Sequence, residues 1–261
     1  MALELGAAVG LGLSVPVGSY MLVSFGLMLR HTEPRPKLAL LREMSRELFW
    51  VMLTQPIAPL WYLVGRRMGR GRGGAPVVSV HWYRQNRIDF VWIARRLRAA
   101  AVGPMYGFNY PWMLAIGACA SRLDRFVEAI CAETGAEHVD LVCHSMGGVV
   151  ATEYMQNASR RVRRCVTIAS PHGGIAWRGP VIGRGIAQLR AGSEYLAVAS
   201  DRPLPVPTLS IHSTHDNVVH PPTSSRLQHR GGADFVVEGR GHFAILFAAQ
   251  TSARLASFLG E

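Results

Sequence analysis

An α/β fold, with a mostly parallel central sheet and helices on both faces, is what this sequence predicts. Three observations predict it. From residue 75 onward, short apolar runs of strand length alternate with longer helix-forming stretches. One run, Val139-Asp140-Leu141-Val142-Cys143, passes straight into a turn of small residues and then a helical stretch. After the last apolar run a single helix-length segment closes the chain. Repeated strand–helix units pair their strands in parallel, because each helix crosses back over a sheet face.

Taken in order, residues 77–80 (VVSV) read as a short buried strand and residues 89–100 as a helix. Residues 102–108 form the next strand, residues 111–134 a longer helix, and residues 138–143 a compact apolar strand. A helix over residues 149–156, a strand over 162–169 and another over 208–213 continue the alternation. Residues 235–238 are the last short strand, and a helix over 244–259 follows. The basic, glycine-rich run at residues 65–74 (GRRMGRGRGG) reads as a linker. It divides an N-terminal helical extension, residues 1–74, from a catalytic domain, residues 75–261.

The chain has 261 residues, 49% hydrophobic and 17% charged, which allows one large domain and argues against disorder. Its formal net charge is +11, and residues 30–98 carry +10 of it. A basic zone beside apolar segments suits anionic lipid headgroups. No nucleic-acid motif accompanies it, so nucleic acid is not an expected partner; a bias toward arginine over lysine is the bland explanation. Residues 5–29 contain no charged side chain and are long enough to cross a ~30 Å hydrocarbon core. They read as a membrane anchor or as a helix covering the core. With the first basic residues after that segment, an anchor would leave the catalytic domain on the cytoplasmic side. A second apolar stretch, residues 48–64, is interrupted by Pro56 and Pro59 and is an interfacial segment, a second span or a buried helix.

The densest signal is Val139-Asp140-Leu141-Val142-Cys143-His144-Ser145-Met146-Gly147-Gly148-Val149-Val150. A strand running into a helix through so tight a turn leaves Ser145 at the apex with its hydroxyl lifted above the sheet. Small residues are needed two positions either side, and Cys143 and Gly147 meet that need. The Met146 amide opens the helix, where its free N–H and the helix dipole stabilise an oxyanion. This stretch resembles the nucleophile elbow of bacterial serine lipases and esterases of the α/β-hydrolase superfamily, usually written G-x-S-x-G, with Cys143 in place of the first glycine.

The resemblance covers about residues 75–259 and implies the order serine, acid, histidine along the chain. It assigns Ser145 as nucleophile, Asp216 in Thr214-His215-Asp216-Asn217 as orienting acid, and His242 in Gly241-His242-Phe243 as base. His212, His215 and His220 flank the acid and read as loop or packing residues. The second oxyanion donor falls to Trp82, after His81, where the superfamily has glycine. His81, Tyr83 and His144 are expected at the substrate. Residues 165–174 (CVTIASPHGG) and 189–196 (LRAGSEYL) resemble further superfamily segments, and residues 175–206 read as a lid or as an ordinary surface helix and loop. The four cysteines, Cys119, Cys131, Cys143 and Cys165, show no metal-ligand spacing and are expected as buried thiols. Neither a metal nor a cofactor is expected. The implied activity is hydrolysis of hydrophobic or lipid esters through an acyl-enzyme, with acyl transfer or a catalytically silent, membrane-tethered binding protein as alternatives.

Overall fold

The computed structural model describes residues 17–55, 65–69, 74–157 and 160–261. Seven strands form one sheet in the order β1-β3-β2-β4-β5-β6-β7. They are β1 (Arg67–Gly69), β2 (Val77–Val80), β3 (Met105–Phe108), β4 (Val139–His144), β5 (Val162–Ile168), β6 (Thr208–Ser213) and β7 (Ala233–Val237). All neighbours run parallel except the edge pair β1 and β3. Every residue of β2, β4 and β6 is buried, as both-sided coverage requires.

The helices are α1 (residues 17–28), α2 (Lys37–Thr54), α3 (Val91–Ala99), α4 (Ile116–Thr134), α5 (Met146–Asn157), α6 (Arg184–Gln188), α7 (Glu194–Ala199) and α8 (Ala249–Gly260). Strand residues alternate between two cores. Val78, Val80, Leu141 and Cys143 face α4 and α5, while Val77, Val142, Val166 and Ile168 face α3 and α8. On α4, Leu123, Val127 and Ile130 recur at helical spacing and are fully buried, each burial contributing about 1.5–3 kcal/mol. Gly135, at φ 71°, ends that helix by returning its N–H to the Cys131 carbonyl at 2.9 Å, a left-handed conformation that glycine takes without strain.

Most boundaries differ from the sequence reading by a few residues, with local causes. Pro111–Leu114 turns instead of starting α4, closed by the Leu114 N–H on the Pro111 carbonyl at 3.1 Å. The closing helix is broken at Ala248, whose extended conformation (φ −71°, ψ 133°) separates a short 3-10 turn, Ala244–Phe247, from α8. The larger difference is β1. Three residues of the run read as a linker pair with Tyr106 and Met105 and close the sheet edge. Nothing in Arg-Met-Gly announces a strand; the free edge of β3 makes it one.

The extension folds back onto the domain. Met21, Phe25 and Met28 of α1 are buried against Leu40 and Met44. The Trp50 and Phe247 rings stack with centroids 3.8 Å apart. Residues 17–28 of the apolar stretch are thus a covering helix, and among the described residues no helix is long and apolar enough to cross a membrane. Residues 5–16 and 56–64, on which the anchor and second-span readings also fall, lie outside the described residues. Helix α2 is inside-out: its buried stripe is Glu43, Glu47, Val51 and Thr54, while Leu38, Leu41, Phe49 and Leu53 are 51–71% exposed.

Candidate active site

Strand β4 delivers His144 and ends, and Ser145 takes φ 52° before α5 begins at Met146. The turn is pinned from both sides, by the Ser145 N–H on the Ile168 carbonyl (2.8 Å) and the Gly148 N–H on the Ser145 carbonyl (2.9 Å). A Cβ on Gly147 would run into the Val80 carbonyl oxygen and sit 2.7 Å from that of His81. The end of β2 therefore demands glycine there. Cys143, the departure from the usual elbow, is fully buried beside the Cys165 thiol, and burial pushes its own thiol well up. All four cysteines are free and buried.

Beyond β6 the chain turns at Asp216, whose Oδ1 accepts the Val218 and Val219 amides, both at 2.8 Å. The same carboxylate accepts from His242 Nδ1, at 3.0 Å to Oδ1 and 2.9 Å to Oδ2. The turn-forming role and the orienting role thus coexist in one side chain. A carboxylate only accepts, so the ring proton sits on Nδ1 and Nε2 carries the lone pair. That Nε2 is buried and has no hydrogen-bond partner. Among the described residues no hydrogen bond joins it to Ser145 Oγ. The segments of Ser145 and His242 are joined through His144, the residue before the serine, whose Nε2–H donates to the His242 carbonyl at 2.9 Å. Their rings lie 4.8 Å apart, and burial keeps His144 well below the usual histidine range and hence neutral.

Two expected substrate contacts are placed otherwise. His144 is turned to the His242 backbone, as described. His81 donates from Nδ1 to the Trp82 carbonyl (2.8 Å) and accepts the Tyr110 amide on Nε2 (3.2 Å). The Tyr110 hydroxyl also donates to the His81 carbonyl at 2.7 Å. With both nitrogens engaged and its pKa lowered to about 4 by burial, His81 is a fixed neutral ring that shapes the loop after β2. Trp82 and Tyr83, which that loop carries, line a cleft of about 660 Å³. The Trp82 ring is 5.2 Å from His242 and 5.6 Å from His144, and the Tyr83 hydroxyl donates to the Ile182 carbonyl at 2.8 Å. Met146 is buried at the first position of α5, where a helical amide lacks a partner in its own helix.

The cleft is walled by α1 (Val17, Tyr20, Val23, Leu27), by Trp82 and Tyr83, and by Trp177, Ile182 and Ile186 of the segment before and within α6. Asn217 and His220 line it near the acid. Two residues missed in the sequence stand out. Asn217 Oδ1 accepts the His242 amide at 2.7 Å, and Glu47 accepts the amides of Phe243 and Ala244. A signal for Glu47 existed: Glu43 and Glu47 are the only acids of α2, spaced one helical turn apart.

The strand order, the single antiparallel edge pair, the serine at the β4–α5 turn and the His–Asp pair after β6 and β7 meet in one comparison. A family model described as the alpha/beta hydrolase fold matches residues 104–183. The protein has the α/β-hydrolase fold. Among solved structures it is similar to a Bacillus licheniformis lipase in its mature form (TM-score 0.62, 16% identity), covering 73% of this chain and 94% of that one. It is also similar to a Paleococcus ferrophilus monoacylglycerol lipase (TM-score 0.60, 13% identity; 74% and 96% covered). A third is a Bacillus anthracis bromoperoxidase (TM-score 0.55, 17% identity; 74% and 94% covered). That one fold spans lipases and a bromoperoxidase shows that the chemistry of this chain must be argued from its own site.

Proposed function

We propose that this α/β-hydrolase cleaves carboxylic esters with hydrophobic acyl chains through an acyl-enzyme on Ser145. The observation that carries the reading is a buried imidazole, oriented by Asp216 on Nδ1 and free on Nε2, beside a serine held at φ 52° on a strand–helix turn. In this reading Ser145 Oγ attacks the ester carbonyl carbon while His242 Nε2 takes its proton, and Asp216 stabilises the imidazolium. The oxyanion is met by the amides of Met146 and Trp82. Collapse expels the alcohol, which takes the proton from Nε2. A water then gives a proton to Nε2 and attacks the acyl carbon; collapse releases the acid, and Ser145 Oγ takes the proton back from Nε2.

The largely apolar wall of the cleft supports acyl chains as its occupant, and Ile175, Trp177, Pro180, Val181, Ile182 and Ile186 form one side of it. The test is labelling by a fluorophosphonate together with hydrolysis of p-nitrophenyl esters of graded chain length. Wild type labels and prefers longer chains, and Ser145→Ala does neither. Unlabelled wild type would overturn the reading, and an ester product formed with added alcohol would move it to acyl transfer.

We also propose that the outward face of α1 and α2 rests on an anionic lipid surface. Leu22, Leu38, Leu41 and Phe49 are 57–72% exposed there, and Arg30, Lys37, Arg42 and Arg46 lie exposed among them. Exposed apolar side chains contribute insertion, and each basic residue about 1 kcal/mol near an anionic headgroup. Flotation with phosphatidylserine vesicles should carry wild type but not Leu38→Glu/Leu41→Glu; equal flotation of both would remove this surface from the reading.

A further inference from the structure

The base of the proposed reaction is held by a part of the chain that the sequence assigned to a separate extension. Glu47 of α2 is fully buried beside the loop that carries His242. Its Oε1 accepts the Phe243 amide and the Tyr20 hydroxyl, both at 3.0 Å, and its Oε2 accepts the Ala244 amide at 2.8 Å. The Tyr20 and Ser24 hydroxyls of α1 in turn accept from Asn217 Nδ2, at 3.1 and 2.8 Å. Asn217 returns to the loop through the His242 amide, at 2.7 Å. Three successive amides, 242 to 244, open a helical turn and therefore lack main-chain partners; Asn217 and Glu47 satisfy all three.

We propose that Glu47 is a positioning residue for His242, clamping the backbone after the base and lending the imidazolium a second nearby negative charge. The proposal rests on the reading of His242 as base. Every group bonded to Glu47 is a donor: two amides, and a tyrosine hydroxyl whose own oxygen is already accepting from Asn217. Burial pushes the Glu47 carboxyl up from its ordinary range while the Ala244 and Phe243 amides pull it down, and a protonated carboxyl would find no acceptor there; the donors around it suit the carboxylate. Room for it is made by Gly241, where a Cβ would run into Glu47 Oε2 and lie 2.7 Å from its carboxyl carbon. The groups facing the imidazole are Asp216 and His220 from the loop after β6, His144 from β4, and Glu47 from α2. Burial lowers both His144 and His220, and the acidic side chains among these groups are Asp216 and Glu47.

The test compares full-length wild type with Glu47→Gln, Glu47→Asp and Tyr20→Phe, by ester kinetics and by the rate of fluorophosphonate labelling. Glu47→Gln keeps the size but loses the charge and one acceptor. Its kcat and labelling rate should fall about 10–100-fold with KM changed less than about twofold, and the acid limb of its pH profile should move to lower pH. Glu47→Asp, still charged, should keep the acid limb near that of wild type. Tyr20→Phe, which removes one bond to Glu47, should lose about 2–5-fold and stands in if Glu47→Gln does not fold. Wild type that labels while Glu47→Gln or Tyr20→Phe labels equally fast with an unmoved pH profile would overturn the proposal alone. Wild type that neither labels nor hydrolyses would instead overturn the reading on which it rests.

Discussion

The two ends of the proposed proton transfer are built differently. The serine end lies on one short stretch of chain, β4, Gly147 and the first turn of α5, held mainly by steric contact of Gly147 with the end of β2 and tied to β5 by the Ser145 N–H on the Ile168 carbonyl. The histidine end is held by hydrogen bonds from four distant places: α1, α2, the loop after β6 and, through His144, β4. A steric turn fails when a side chain grows. A polar clamp fails when a partner is removed, even one nearly two hundred residues away in the chain.

Losing Ser145 tests the whole scheme. Ser145→Ala should lower kcat/KM by roughly 10⁴–10⁶-fold without unfolding, read by ester turnover and circular dichroism. The next largest effect separates the two ends. A chain beginning at Gly74 lacks Tyr20, Ser24, Glu47 and β1, and it bares Phe247 to water. It should label with fluorophosphonate at least about 100-fold more slowly than full-length protein even after detergent prevents aggregation. Labelling at the full-length rate would show that the base needs no support from the extension. On the steric side, Gly147→Ala should cost about 1–3 kcal/mol in denaturant unfolding, because its methyl meets backbone oxygens that cannot swing aside.

A smaller and broader effect concerns pH. His81 is buried with its pKa lowered from 6.5 to about 4, so the unfolded chain binds a proton that the folded one refuses. Its contribution to stability is whole above pH 6.5, falls as the pH drops, and is gone below about 4. Urea midpoints measured from pH 7 to 4.5 should decline, less steeply in His81→Asn, which has no proton to gain. The smallest effect is expected for one of two changes at Cys143. Cys143→Gly should change kcat/KM less than about threefold, whereas Cys143→Leu should abolish activity, since no room exists for it in a fully buried turn.

Ser145, Asp216 and His242 stand out as candidates in the sequence because each is announced by neighbours in the chain: small residues around Ser145, a strand end before Asp216, glycine before His242. His81 and His144 were read as substrate contacts because sequence reports that a histidine is near a site, not which way its nitrogens face. Here the Tyr110 amide and the His242 carbonyl decide that. The Trp82 ring lies 5.2 Å from the imidazole, at the position where the superfamily has glycine.

The sequence by itself determined the order of strands and helices and the steric turn at Ser145, since periodicity and side-chain size act over a few residues. Only the tertiary structure decided that Arg67–Gly69 is a strand, that residues 17–28 wall the cleft, and that Glu47 belongs with His242. A buried amide accepts any correctly placed oxygen, and the energy of that bond carries no record of how far along the chain the oxygen lies.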